Sequence, residues 1–113
     1  MVDELTFFLQ HLGFQVTSAI DSRQALVEVG SGSPNLVLMR ESSNRLNGDE
    51  LCIRIRELSD VPIIVIGQCQ EEVAGVEFLE MGADAYLPSP LDARELLARV
   101  RSLLRRTQAF QQT

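Results

Sequence analysis

Two short segments in the middle of the chain are apolar without interruption. Residues 36–39 read LVLM and residues 61–66 read VPIIVI, and turn-forming or charged residues flank both. A strand with water on one face alternates polar and apolar side chains, whereas an unbroken apolar run of strand length is typical of a strand buried on both faces. Pro62 is tolerated because it lies near the start of its run. The two runs predict a parallel sheet that is covered by helices on both sides.

Segments with helical periodicity separate these runs. Strands that alternate with helices of about ten residues imply right-handed crossovers within one parallel sheet. We therefore predict an α/β fold, a doubly wound three-layer parallel sheet in a single domain over residues 1–113, in which 106–113 form a tail or the start of a linker. The predicted helices cover 3–12, 22–29, 48–58, 71–81 and 91–107, and the strands cover 14–20, 36–39, 61–66 and 83–87.

The chain contains no lysine, because all ten of its basic residues are arginine. Chemistry that needs an amine of adjustable pKa, such as a Schiff base or a phosphate-loop lysine, is therefore excluded. Residues 1–93 carry fifteen acidic residues against five arginines, a net −10, and residues 94–113 carry five arginines against one acid, a net +4. We expect no nucleic-acid binding by so acidic a domain, and we interpret the basic end as the solvated face of a terminal helix.

The candidate metal ligands are too few and too scattered for a site. Cys52 and Cys69 lie seventeen positions apart, and His11 is the single histidine. We interpret the cysteines as reduced thiols of a cytoplasmic protein. No apolar stretch approaches the roughly 20 residues of a membrane span, and no signal peptide is visible. We expect a cytoplasmic protein without a metal, a cofactor or a membrane partner.

Ligands of doubly wound folds bind at the carboxyl ends of the strands. Those ends and the motifs around them resemble the receiver domain of bacterial response regulators, which has the CheY-like (flavodoxin-like) fold. The resemblance runs from about Gly13 to Arg106. It is carried by residues 34–39 (PNLVLM), 47–51 (NGDEL), 61–66 (VPIIVI) and 82–91 (GADAYLPSPL). Residues 92–106 are similar to the last receiver helix of winged-helix regulators of the OmpR/PhoB type.

The positions at which receivers handle a phosphoryl group are occupied here by other residues. The resemblance places Arg40 where receivers keep the phosphoacceptor aspartate, Gly67 where a threonine or serine reads the phosphate, and Ser89 where a lysine contacts it. A guanidinium is neither nucleophilic nor anionic, and its charge repels Mg²⁺. We predict a degenerate receiver, or pseudo-receiver, that is not an enzyme and regulates its partners without phosphorylation.

Two other functions stay open. Glu41 follows Arg40 and can serve as a surrogate acceptor with Mg²⁺, although successive strand residues point to opposite faces. A small enzyme of the same fold is the third hypothesis. It is disfavoured because the sequence has neither a glycine-rich phosphate loop nor a nucleophile–base pair.

The N-terminus departs from the family, which begins with a buried strand that ends in an acidic pair. Here only Met1 and Val2 precede Asp3 and Glu4. If the residues before Gly13 are matched to the family's first helix without a gap, Asp3 and Glu4 lie inside that helix and the first strand is missing. The alternative is a shortened helix with residues 1–2 as a strand remnant. A missing strand leaves an unpaired edge, so the sheet closes differently, a partner supplies a strand, or the chain dimerises.

The resemblance also assigns switch and interaction residues. Tyr86 stands where receivers keep an aromatic residue that moves inward when the hydroxyl residue engages phosphate. Since Gly67 has no hydroxyl, one hypothesis is that Tyr86 holds a single position, and the other is that it is an ordinary half-buried strand tyrosine. The bond before Pro90 is expected to be cis. Arg40 must either pair with acids at the old phosphate site or reach solvent, because a buried unpaired guanidinium is costly.

Winged-helix regulators dimerise through the fourth helix, fifth strand and fifth helix. Glu95, Arg99 and Arg101 match the charged residues that the fifth helix uses there, and the fourth helix of this chain offers only acids. We therefore expect a homodimer through this surface. A protein partner is also expected, either a regulatory or output domain or a histidine kinase.

Overall fold

The computed structural model describes residues 4–19, 21–40, 45–67 and 72–111, with side chains described at 4–19, 21–40, 50–67 and 75–106. Within these ranges the order of elements is α1 (Glu4–His11), α2 (Ser22–Gly30), β1 (Val37–Arg40), α3 (Arg45–Leu58), β2 (Ile63–Ile66), α4 (Glu72–Glu80), β3 (Ala85–Leu87) and α5 (Ala93–Gln111). The three strands form a parallel sheet in the order β1-β2-β3. The predicted α/β fold with a parallel sheet is confirmed.

The sheet is covered on both faces, and β2 is its most buried strand. All four β2 residues are buried, and the first three alternate between two apolar clusters. Ile63 and Val65 pack with residues of α2, α3 and α4, whereas Ile64 packs with Leu96 and Val100 of α5. The unbroken apolar run of β2 therefore reflects a strand between two helical layers.

Among the described residues, no helix is both long and apolar enough to cross a membrane.

Arg56 of α3 joins the connections at the amino ends of β2 and β3. Its Nε donates to the Gly82 carbonyl at 3.0 Å, and its Nη1 donates to the Val61 carbonyl at 2.6 Å. Its Nη2 lies 2.8 Å from Asp84 Oδ2, in an ion pair whose side chains are 24% and 34% exposed. The same carboxylate oxygen accepts from the Ile63 amide at 2.8 Å. Arg56 thus holds the end of α3 and the starts of both strands together.

The strand predicted over residues 14–20 is wrong for residues 14–19, which have no strand pairing; Ile20 lies outside the described residues. Alternation and β-branched residues favoured a strand there, but a strand also needs a neighbour that supplies hydrogen-bonding groups. The other predicted elements differ from the structure at their ends only. The largest differences are that α3 begins at Arg45, three residues before its predicted start, and that α5 extends to Gln111.

The first helix agrees with the ungapped count from Gly13. Glu4 opens α1, while Asp3 lies outside the described residues. Leu9 is buried and Leu5 packs against the cluster on the α5 side of the sheet, whereas Leu12 is exposed. Within the described ranges, which begin with Glu4 of α1, the first strand of the sheet is β1.

The outer edge of β1 has no strand beside it in the described part of the chain. The Val37 amide donates to the Pro62 carbonyl at 2.8 Å, and in a parallel ladder alternate residues face the same neighbour. Val37 and Met39 therefore face β2, and the N–H and C=O of Leu38 point away from it. Leu38 is only half-buried, although its side chain packs against the cluster on the α5 side.

This edge can be tested by amide hydrogen exchange followed by NMR. We expect the Leu38 amide to exchange about tenfold or more faster than the Met39 amide, because only the Met39 amide is hydrogen-bonded to β2. The two residues are adjacent in one strand, so each serves as the control for the other. Equal protection of both amides would show that a further segment pairs with the outer edge.

The Arg56 contacts predict a stability difference between two arginines of the same helix. Arg56→Ala should lower the free energy of unfolding by about 2 kcal/mol, because it removes several hydrogen bonds and an ion pair that is partly shielded from water. Arg54→Ala is the matched control: its ion pair with Glu50 has an N–O distance of 3.1 Å and side chains 57% and 60% exposed. That control should lose about 0.5 kcal/mol or less. Urea denaturation measures both, and equal losses would contradict the role of Arg56.

Candidate functional site

The carboxyl ends of the three strands meet at one edge of the sheet. Arg40 is the last residue of β1 and is in register with Ile66, which Gly67 follows directly. The Gly67 amide donates to the Leu87 carbonyl at 2.8 Å, which continues the ladder between β2 and β3. The structure therefore brings the three predicted strand ends to one edge.

Ser89 and Gly67 are in direct contact. The Ser89 hydroxyl donates a hydrogen bond to the Gly67 carbonyl oxygen. The following bond, Ser89–Pro90, is cis, in agreement with the expectation from the resemblance. The loop after β3 is thereby attached to the end of β2 through a short neutral side chain.

Arg40 has an exposed side chain at the end of β1, whereas the preceding residue, Met39, is buried in the core. Successive residues of a strand point to opposite faces, so Arg40 lies on the face opposite Met39, and its place at the end of the strand leaves it exposed. The Arg40 side chain therefore reaches solvent at this edge of the sheet. Two acids that were considered near it, Asp3 and Glu41, lie outside the described residues.

Tyr86 of β3 extends across the sheet edge to the end of β2. A Cβ atom added to Gly67 would overlap the Tyr86 hydroxyl and would lie 3.0 Å from its Cε1. The Tyr86 ring also stacks on Phe78 of α4, with ring centroids 5.8 Å apart and an interplanar angle of 19°. Tyr86 therefore occupies the volume in which a side chain at position 67 would stand.

Gly75 of α4 is a second close neighbour of Tyr86, and sequence reasoning missed it. A Cβ added to Gly75 would lie 3.0 Å from Tyr86 Cδ1. The signal was present, because glycine inside a helix costs about 1 kcal/mol relative to alanine and usually has a packing reason. The partner of that glycine is distant in sequence, so only the structure identifies it.

The described residues do not fit the Mg²⁺ that the resemblance associates with receivers. Mg²⁺ takes oxygen ligands, chiefly carboxylates and water. Arg40 places a cation at the strand end where the family has a carboxylate, and the described residues contain no group of three or more His, Cys, Asp or Glu side chains that could hold a metal.

The predicted interaction residues of α5 lie on the surface. Glu95, Arg99 and Arg101 are all exposed. On α4 two large apolar side chains are also exposed, Val76 by 54% and Leu79 by 47%. The helices α4 and α5 flank the last strand in the chain, so charged and apolar groups of both helices are available to a partner.

A comparison with protein families matches residues 1–101 to the response regulator receiver domain. Among curated relatives, the sensory transduction protein RegX3 of Mycobacterium tuberculosis is 37% identical over 106 residues, which are 94% of this chain and 47% of the relative. The response regulator MprA of Mycolicibacterium vanbaalenii is 43% identical over 99 residues, 84% of this chain and 42% of the relative. The chain thus spans about half the length of the curated relatives it matches.

Solved structures have the same fold. A two-component response regulator from Clostridium difficile matches with a TM-score of 0.82 and 28% identity, over 92% of this chain and 86% of that chain. A CheY-like receiver domain protein from Methanospirillum hungatei matches with a TM-score of 0.83 and 24% identity, over 96% of this chain and 87% of that chain. The second likeness shows the fold alone.

Proposed function

The chain belongs to the response regulator receiver domain family of two-component signalling, and from that premise we propose that it acts as a pseudo-receiver. In this role it regulates protein partners through its surface and accepts no phosphoryl group. Arg40 at the end of β1 carries the proposal, because it stands at the position that the resemblance assigns to the phosphoacceptor. Phosphoryl transfer to a receiver needs a carboxylate nucleophile, and a guanidinium stays protonated and cannot take its place.

The neighbouring strand ends support the same conclusion. Gly67 has no hydroxyl with which to contact a phosphoryl group, and the space beside it is filled by Tyr86. Ser89 is uncharged, and its hydroxyl donates to the Gly67 carbonyl. Stabilising a transferred phosphoryl group requires positive charge or well-placed donors aimed at its oxygens. Neither residue provides the charge that a lysine would bring.

A phosphorylation assay tests this proposal. The protein is incubated with acetyl phosphate and Mg²⁺, and its intact mass is measured beside a receiver domain that retains the acceptor aspartate. We expect a phosphoryl adduct on the control receiver and none on this chain, because its described strand ends lack an acceptor carboxylate.

The alternative, a surrogate carboxylate, gives the opposite result. A phosphoryl adduct on this chain would overturn the proposal. If the adduct disappeared in Glu41→Gln, the acceptor would be Glu41 and the protein would be a receiver with a displaced site. If it persisted in that variant, another carboxylate would be the acceptor, and peptide mapping would locate it.

We also propose that the regulatory surface comprises α4, β3 and α5 and that it pairs two copies of the chain. Arg99 and Arg101 on α5 can meet the exposed acids Glu77 and Glu80 of α4 across a two-fold axis. Exposed ion pairs contribute about 0–1 kcal/mol each, so they set the register of the two copies. The apolar groups Val76 and Leu79 of α4 supply the area whose burial favours association.

Sedimentation velocity over a range of concentrations tests the dimer. The double variant Arg99→Glu/Arg101→Glu should shift the protein toward the monomer, because it opposes the acids of α4 with like charge. The matched control is Arg23→Glu on α2, an exposed arginine outside this surface, which should leave association unchanged. A wild-type monomer at high protein concentration would contradict the proposed dimer.

The further partner is a protein of the same signalling system. RegX3 is described as a sensory transduction protein, and the chain matches about half of its length. The helix α5 resembles the last receiver helix of winged-helix regulators, so we propose a DNA-binding output domain as the partner that responds to this surface. A histidine kinase is the second candidate. The proposed setting is the cytoplasm.

A further inference from the structure

We propose that Gly67 and Gly75 are positioning residues that hold Tyr86 permanently against the end of β2, so that packing, and not phosphorylation, sets the state of the regulatory surface. The regulatory meaning rests on the proposed function above. The packing claim rests on the contacts of Tyr86 alone and can be tested separately.

The backbone at Gly67 does not require glycine. Positive φ angles among the described glycines occur at Gly13, Gly32 and Gly82, and Gly67 is not among them. Residues with a side chain can therefore adopt the Gly67 conformation. What excludes them is space, since an added Cβ would overlap the hydroxyl and Cζ of Tyr86. Glycine at this position is explained by the tyrosine beside it.

The same reasoning applies to Gly75. It lies within α4, where alanine would favour the helix by about 1 kcal/mol over glycine. An added Cβ would approach Tyr86 Cδ1 to 3.0 Å, which is tighter than ordinary van der Waals contact. Two glycines on different elements thus leave room for one aromatic ring.

Phe78 of α4 also packs against the ring. It is buried, and it stacks on Tyr86 at 5.8 Å between ring centroids. If Tyr86 swung out, a space walled by two glycines and one face of Phe78 would be left, and such a cavity is costly unless the neighbours collapse into it. The inward position is therefore favoured as long as position 67 has no side chain.

In this arrangement the sequence itself determines the conformation of the regulatory surface formed by α4, β3 and α5. Tyr86 belongs to β3, between the two helices of the proposed interface, so a fixed ring gives partners a constant surface. No ligand is needed to bring the ring inward, because the volume at the end of β2 is already available to it. A side chain at position 67 would take over that volume and drive the ring toward solvent.

Tyrosine fluorescence measures the solvent exposure of the Tyr86 ring directly. The chain has one tyrosine and no tryptophan, so its emission comes from Tyr86 alone. We expect Gly67→Ala and Gly67→Ser to raise the iodide quenching constant about twofold or more, because the displaced ring meets solvent. Gly30→Ala is the matched control, since an added Cβ there meets nothing within 4 Å. It should leave the quenching constant unchanged.

A double-mutant cycle separates the proposed contact from general damage. Gly67→Ala should raise the unfolding equilibrium constant about tenfold in the wild-type background and much less in a Tyr86→Ala background, where the ring is gone. Unchanged quenching together with equal destabilisation in both backgrounds would overturn the proposal.

Gly75→Ala keeps the test decisive if the Gly67 variants do not fold. In a Tyr86→Ala background, Gly75→Ala should stabilise the protein through its higher helix propensity. In the wild-type background, the tight contact with Tyr86 should cancel that gain. Equal stabilisation in both backgrounds would overturn the proposal. A phosphoryl adduct in the earlier assay would instead contradict the proposed function and leave these packing results as they are.

Discussion

The complete burial of β2 is the constraint on which the other features depend. Ile63 to Ile66 are covered by helices on both faces and paired with a parallel strand on both edges. A strand in this position cannot leave backbone groups unpaired without a large cost, so both of its ends need partners. At the amino end the Asp84 side chain accepts from the Ile63 amide, and Arg56 holds that carboxylate. At the carboxyl end the Gly67 amide donates to the Leu87 carbonyl and continues the ladder. The candidate site is built around Gly67.

The sequence predicted this layered core because burial on two faces leaves a direct trace, an unbroken apolar run. It did not predict the pairing partners of the other segments. Residues 14–19 have strand-like composition but no strand pairing, since pairing depends on which segments lie side by side. The contacts of Arg56 could not be predicted from the sequence either. It depends on carbonyls and a carboxylate that are distant in sequence, and an arginine on a helix is usually no more than a solvated charge.

The candidate site shows the same division between local and tertiary information. Arg40, Gly67 and Ser89 could be assigned from the resemblance because each follows or ends a recognisable strand. The chemistry that they lack could be read from residue type alone. The location of the Tyr86 ring could not, because it depends on the absence of side chains at two glycines and on a stacking contact with Phe78. The sequence left open whether Tyr86 holds a single position or is an ordinary half-buried strand tyrosine, and the structure shows its ring against the end of β2.

In the proposed function, packing links the two positions at which Arg40 and Gly67 differ from the residues that receivers keep. A hydroxyl residue at position 67 is useful only where there is a phosphoryl group to contact, and Arg40 gives no acceptor for one. Glycine at that position, taken alone, would leave a void beside the buried end of β2, and interiors do not keep voids without cost. Tyr86 fills this volume from the neighbouring strand, and Gly75 gives its ring the room to do so. In the proposed function, the loss of the acceptor and the fixed tyrosine are therefore parts of one arrangement, in which the Tyr86 ring fills the volume that a hydroxyl side chain occupies in other receivers.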